Sequence, residues 1–387
     1  MKVDFPVQPD WLAGLEPAGR QDFSVAAIYF PGFHPTPFFE KHFGPGWSEW
    51  ELVRSARPRF PGHRQPLEPL WGCYDESDPA WAEREIEAAA GHGIDIFIFD
   101  WYWYQGVEIL NEALERGFLA ASNRNRLRFG LMWANHTIVN VFPAPVGRPP
   151  AELLPIVHTP EDLDRVIDHC ARNFFVQPNY WFIEGKPWFG FFNLGALLKS
   201  LGGLSGAAAG IERMRRRAER AGFNGLYLGG FTGGADGAET FRKLGFDHVT
   251  TYNIVTPEGG RPGRALNPYR EVAAAHPARW REIAGAGLPC WPVVTQGWDV
   301  SPRNSPGEPW PPARWEWPFG ALIPDNSPEL FGRLCSAARR FLSGQPGPAR
   351  VMLLNAWNEW TESSVLAPTR DQGFACLEAL REALAAP

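Results

Sequence analysis

Short apolar runs recur along the chain, bounded by glycine, proline or charged residues, and most are followed by a stretch with the amphipathic period of a helix. The runs fall at 26–33, 94–101, 127–135, 187–193, 226–231, 248–253 and 291–299, and an eighth opens the stretch Val351-Met-Leu-Leu-Asn-Ala-Trp-Asn-Glu-Trp-Thr-Glu362. They are largely continuous rather than alternating, which predicts strands buried on both faces of a parallel sheet. Helices are predicted between them. One is opened by Asp78-Pro79 and stopped at Gly93, one covers about 107–121, and one is opened by Thr159-Pro160. An arginine-bearing helix runs up to Gly222 and a short one to Leu244; others cover about 268–286, Ser327 to Gly344, and about 371–385. Asp, Thr or Ser followed at once by Pro reads as a helix start. The side-chain oxygen caps a free N–H, and proline presets φ where no N–H is needed.

Loop lengths decide between the architectures open to such a pattern. Helix-to-strand connections are short (Gly93 alone, 223–225, 245–247), whereas strand-to-helix connections are long at 34–77, 136–158, 254–267 and 300–326. Elaboration confined to one end of the strands predicts an α/β fold, a single (β/α)8 TIM barrel with long βα loops on its C-terminal face. A doubly wound sheet would concentrate them at a switch point, and no Gly-x-Gly-x-x-Gly follows a strand. Residues 1–25 read as an N-terminal lead-in and 26–387 as the barrel domain.

Composition narrows the function. Lys plus Arg number 37 and Asp plus Glu 43, a net charge of −6, with no basic block beyond residues 213–220, so nucleic acid is not an expected partner. Cys73, Cys170, Cys290, Cys335 and Cys376 are scattered without a Cys-x-x-Cys pair, against a disulfide framework or a zinc knuckle. No run is long enough for a membrane span, and no leader is visible, so a cytoplasmic location is expected. The 18 tryptophans change the picture most. Many stand beside Asn, Gln, Asp or Glu at strand ends, and an aromatic face next to polar groups suits a sugar ring. Half or more of them can equally be core.

In a barrel the strand ends converge on one pocket. They bring Tyr29 and His34; Asp100, Tyr102 and Trp103; Trp133, Asn135 and His136; Tyr252 and Asn253; Gln296, Trp298 and Asp299; and Trp357, Asn358, Glu359 and Glu362. The long first loop adds Trp47, Glu49, Trp50, His63 and Gln65, and the loops bearing Trp310, Trp315 and Trp317 are placed to close one end of the cleft. Such a lining suits an oligosaccharide or polysaccharide substrate. His34, His63, His136 and His248 are spread over different strands and loops, with no His-x-His after the first strand, so neither a metal nor a cofactor is expected. Glu359 and Glu362 remain as the acids. In the usual retaining pair the carboxyls flank the bond about 5 Å apart from opposite faces. Two acids on one short segment approach a sugar from the same side, which favours a route in which a substrate hydroxyl attacks the anomeric carbon.

Ile28-Tyr-Phe-Pro-Gly-Phe-His34, Trp47-Ser-Glu-Trp50, His63-Arg-Gln-Pro66, Trp133-Ala-Asn135 and Trp357-Asn-Glu-Trp-Thr-Glu362 resemble, in order, the motifs of the WbsX family. That family is often labelled glycosyltransferase and is similar to glycoside hydrolase family 99, retaining endo-α-mannosidases that need no metal. The resemblance implies that Glu359 is the base that deprotonates the 2-hydroxyl to give a 1,2-anhydro sugar. It implies that Glu362 is the general acid, then the base for water. Two positions depart from the pattern: Ser363 stands where glycine is usual, and His136 where glutamate is usual. The reading is a retaining α-glycoside hydrolase acting on a mannose-like or related residue. The alternatives are a glycosyltransferase of cell-surface polysaccharide assembly and a non-catalytic glycan-binding barrel.

Overall fold

The computed structural model describes residues 10–257, 264–312 and 317–385. Its strands are β1 Ser24–Tyr29, β2 Ile96–Tyr104, β3 Arg128–Trp133, β4 Lys186–Phe191, β5 Tyr227–Phe231, β6 His248–Thr250, β7 Val293–Thr295 and β8 Val351–Asn355. They pair in the order β6-β5-β4-β3-β2-β1-β8-β7. All these pairings are parallel; Ala26 of β1, for example, lies opposite Leu353 on one side and Ile96 on the other. The two ends of the series meet at a single bridge between Val249 and Cys290. There Val249 donates its N–H to the Pro289 carbonyl at 2.9 Å and accepts from the Trp291 N–H at 3.0 Å. The sheet is thus a barrel closed by one stitch. Its strands are apolar on both faces because one lines the barrel interior and the other packs under helices. Every residue of β2 is buried.

The longer helices are α1 Pro79–Gly91, α2 Pro160–Asn173, α3 Leu204–Arg220, α4 Ala235–Lys243, α5 Tyr269–Ala284 and α6 Pro328–Ser343, each between two barrel strands, and α7 Ala375–Ala385 after the last. The starts read from sequence are in place: Asp78, Thr159 and Ser327 accept from the N–H groups of Ala80, Asp162 and Leu330. α2 shows how a helix is held, burying Leu163, Val166, Ile167 and Cys170, a stripe spaced to lie on one face. The helix expected over 107–121 does not form as such. Gln105 (φ 52°) and Gly106 (φ 98°) make a tight reversal, and Val107–Ile109 pairs antiparallel with the end of β2. Two residues with positive φ suit the turn whose twist matches a hairpin, which overrides the helical spacing downstream. Only a π-helical turn at Ala113–Gly117 and a 3-10 turn at Phe118–Ala120 follow.

The barrel interior away from the loops accounts for much of the tryptophan. Trp181, Trp188 and Trp291 stack with His248, whose ring lies 3.3 Å from that of Trp291, centre to centre. The Trp188 indole donates to His248 Nε2 at 2.8 Å, and burial holds that imidazole well below its ordinary pKa, hence neutral. Gly229 makes room: a Cβ there would meet His248 Nε2 at 2.3 Å. Trp101, Trp133, Trp181, Trp188, Trp280, Trp291, Trp357 and Trp360 are all fully buried. A buried indole needs an acceptor. Trp280 finds the Val293 carbonyl at 2.9 Å and Trp291 that of Ala349 at 3.1 Å. Much of the tryptophan is therefore core, while Trp298 and Trp317 line the cavity described below. All five cysteines are unpaired, and among the described residues no single helix is long and apolar enough to cross a membrane.

Candidate active site

Past the end of β8 the chain turns back on itself: Asn358 pairs antiparallel with Val365 and Glu359 with Ser364. Glu359 thus ends one arm of a small hairpin and Glu362 lies on its turn, where the Glu362 N–H donates to the Glu359 carbonyl at 3.1 Å. Asn358 ties the hairpin to the barrel. Its amide accepts from the Phe30 N–H at 2.8 Å and donates to the Phe30 carbonyl at 2.7 Å. Ser363, the residue after the second acid, has φ 50°, a left-handed backbone that glycine adopts freely and other residues at a cost of about 1 kcal/mol. Gln65 holds it by donating to its hydroxyl at 2.7 Å. The turn therefore keeps its shape without glycine.

Both acids open onto a cavity of about 950 Å³. Of the residues expected to bind substrate, Glu49, Asp100, Tyr102, His136, Tyr252 and Trp298 line it with Glu359 and Glu362. Apolar side chains line it too, among them Phe39, Ile138, Phe142, Ile156 and Phe192, together with Lys199. The Tyr252 hydroxyl lies 2.8 Å from Glu359 Oε1 and 2.9 Å from Asp100 Oδ2. A phenol has one proton to give, so both contacts are hydrogen bonds only when one carboxyl is itself protonated. Burial pushes Asp100 well above the usual carboxylate range, and no cation pairs with it among the described residues. One of Asp100 and Glu359 is therefore protonated when Tyr252 bridges them. Glu359 is also pushed up, by burial first and then by Glu362, but Arg303 pulls it back. Glu362 is raised chiefly by burial, against Arg303 and the Trp317 indole, which donates to Glu362 Oε1 at 2.8 Å. His136 is kept low by burial and neutral; its Nδ1 donates to the Thr137 carbonyl at 3.1 Å, leaving Nε2 as an acceptor.

The other expected contacts sit behind the pocket, where their polar atoms are used by the protein itself. Trp50 donates to the Tyr74 carbonyl at 2.6 Å, Trp103 to Asp162 at 3.2 Å and Trp133 to the Trp103 carbonyl at 3.2 Å. Asn135 braces the backbone of Asn193, Gln296 accepts from the Val365 N–H at 3.1 Å, and Trp357 donates to Glu85 at 3.0 Å. Asp299 accepts from His63 at 2.7 Å and Gln65 at 2.6 Å, and its N–H donates to the Glu362 carbonyl at 2.7 Å, so it buttresses the acid-bearing turn. Of the loop tryptophans, Trp317 reaches the site, Trp310 stacks near Phe60 and His63, and Trp315 lies outside the described residues. Sequence reasoning missed Arg303. It stands in no motif, and the only sign of it is that several buried carboxylates in one pocket need a cation.

Tyr29 and His34 belong to a buried cluster behind the hairpin. The Tyr29 hydroxyl donates to Glu85 at 2.8 Å. His34 faces Glu76 through Nδ1 at 2.9 Å and Glu112 through Nε2 at 3.1 Å. Carboxylates at both nitrogens favour the imidazolium, and hydrogen bonds to the two acids outweigh burial to raise His34 to about 9. A folded-state pKa above the unfolded value stabilises the fold fully below about 6.5, and that gain is lost as pH rises through about 9. His34→Leu should therefore destabilise the protein by about 3–5 kcal/mol at pH 7, since it strands Glu76 without its cation. Urea unfolding of both proteins checks this, and the gap should shrink as pH passes 9.

The fold is that of a (β/α)8 barrel with two glutamates facing a cavity at the C-terminal end of its last strand. Within that class the chain belongs to the family described as glycosyltransferase WbsX, whose model matches residues 25–380. It is 28% identical over 373 residues to the uncharacterized protein WxcX of Xanthomonas campestris pv. campestris, covering 93% of this chain and 49% of that one. The chain thus spans about half the length of the curated relatives it matches. Among solved structures, a glycoside hydrolase-like protein aligns over 100% of this chain and 98% of its own, at 16% identity and a TM-score of 0.61. The GH99 endo-alpha-mannosidase from Bacteroides thetaiotaomicron aligns over 94% and 96%, at 14% identity and a TM-score of 0.57. At these identities the likeness is one of fold.

Proposed function

We propose that this barrel is a retaining α-glycoside hydrolase acting on a mannose-like or related residue of an oligosaccharide or polysaccharide. The observation that carries the reading is the placement of Glu359 and Glu362 on one hairpin, both facing a single cavity. Acids on one side of a sugar ring cannot flank its anomeric bond, so the nucleophile is the substrate's own 2-hydroxyl. Glu359 takes the 2-hydroxyl proton as O2 attacks C1, and Glu362 gives its proton to the departing glycosidic oxygen. A 1,2-anhydro sugar results. Glu362 then takes a proton from water as the water oxygen attacks C1, and O2 recovers its proton from Glu359. The cavity, near the upper end of the range for small-molecule sites, suits more than one sugar residue.

A second reading, glycosyl transfer, is favoured by the family description and by the chemistry itself. If a sugar hydroxyl replaces water in the second step, the same acids perform transfer. Incubation with aryl α-glycosides and with nucleotide sugars separates the two. Release from the glycosides is expected, and turnover of nucleotide sugars alone would sink the hydrolase reading. Activity is also expected to survive exhaustive chelation. Among the described residues the His/Glu cluster with metal-ligand spacing, Glu108, Glu115 and His169, lies outside the cavity.

A further inference from the structure

Arg303 is buried beside the two acids, in the 3-10 turn Ser301–Arg303 after β7. Its guanidinium grips Glu49, with Nη1 3.1 Å from Oε1 and Nη2 3.1 Å from Oε2. Glu49 is in turn fixed by the Thr361 hydroxyl at 2.7 Å, on the same hairpin as the acids. So held, Arg303 places Nε 3.6 Å from Glu362 Oε1 and Nη2 3.9 Å from Glu359 Oε2. Phe30, Phe142 and Trp317 surround the guanidinium with their rings at 5.6 to 5.9 Å. Aromatic walls keep water from screening it, so its field at both acids is strong.

We infer that Arg303 is a positioning residue that compensates one negative charge on the Glu359–Glu362 pair, whichever of the two carries it. This deepens the hydrolase reading and rests on it for its chemical meaning. Before the first step of that route Glu359 is the anion and Glu362 the acid. After it the roles are exchanged, and the pair's total charge is unchanged. A buried carboxylate without a partner is costly. A fixed cation within 4 Å of an oxygen of each acid removes that cost in both states, and no side chain has to move. Glu49, gripped by the same guanidinium, acts against it by pushing both acids up, and Arg303 outweighs it at each of them. The other titratable groups facing the pair are Asp100, Tyr102, His136 and Tyr252. Tyr102, Tyr252 and Asp100 are all pushed well up by burial, and burial holds His136 low.

The test reads the acids directly, so that it does not depend on finding a substrate. Protein labelled with carbon-13 at the glutamate carboxyls is titrated by NMR, with Glu359→Gln and Glu362→Gln giving the assignments. In Arg303→Gln both titrations should move up by about 1–3 pH units, the effect of losing an opposite charge at this range. Arg303→Lys should restore most of the shift. Glu49→Gln/Arg303→Gln, which removes the ion pair together, should still move both up but by less, since the Glu49 charge that raises them goes too, and it guards against a fold lost through an unpaired Glu49. Titrations unchanged in both glutamine variants would overturn the inference. A shift on one acid alone would also overturn it, because the cation would then serve a single charge state. Where a glycoside is turned over, both limbs of the pH profile should rise together in Arg303→Gln, whereas a purely structural role would lower the rate and leave them in place. Shifted titrations in a protein that cleaves no glycoside would leave Arg303's role standing and remove the hydrolase reading.

Discussion

Glu362→Gln should lower kcat/KM for natural glycosides by about 10²–10⁴-fold, the range that a positioned general acid supplies. The loss should be far smaller for aryl glycosides whose phenolate departs without a proton. Leaving-group dependence marks an acid, because only groups that need protonation suffer when the proton is gone. Kinetics on a series of aryl α-glycosides of falling phenol acidity, beside an oligosaccharide, read this as the slope against leaving-group pKa. Equal loss across the series would remove Glu362 from the acid role. The Trp317 indole, which donates to this carboxyl, can still donate to the amide oxygen of glutamine, so the turn should keep its shape.

Glu359→Gln should be the more severe change. Deprotonating the 2-hydroxyl creates the nucleophile for every substrate, so activity should fall by about 10²–10⁴-fold whatever the leaving group. Substrates lacking a free 2-hydroxyl, such as 2-deoxy or 2-O-methyl glycosides, should be inert with the unaltered enzyme. Rapid turnover of a 2-O-methyl substrate would show that O2 is not the nucleophile, and Glu359 would then need another role. Tyr252 and Asp100 remain to hold the amide in place, so a loss on this scale reports chemistry rather than collapse.

The strands were legible because parallel barrel strands are apolar on both faces and end at glycine, proline or charge. The helix starts were legible because Asp78, Thr159 and Ser327 each precede a proline. The reversal at Gln105–Gly106 was hidden by the apolar spacing after it, which a helix and a hairpin share over so few residues. Within the site, the hairpin acids stood out, since two glutamates among indoles and an amide at a strand end have few structural uses. The side chains behind the pocket could not be told from those in it. Sequence gives the strand end but not which way a side chain such as Trp133 or Gln296 turns, and alternate residues face opposite sides. Tryptophan misled for a related reason. An indole beside a polar residue serves sugar binding and core packing alike, and this barrel uses stacked indoles to fill its interior.

The single bridge that closes the barrel has a mechanical meaning. Every other junction in the wall is a ladder of consecutive paired residues, whereas β6 and β7 share one backbone bridge, at Val249 and Cys290, and are otherwise tied by side chains such as the Thr250 hydroxyl, which donates to the Trp291 carbonyl at 2.8 Å. A cylinder sewn this way has a preferred line of parting. That line runs up to Tyr252 on one lip and Trp298 on the other, both of which line the cavity. Any parting there would widen the cleft at the acids before the other staves gave way, and it should show as faster hydrogen exchange at the Val249 and Trp291 amides than along β1 to β3.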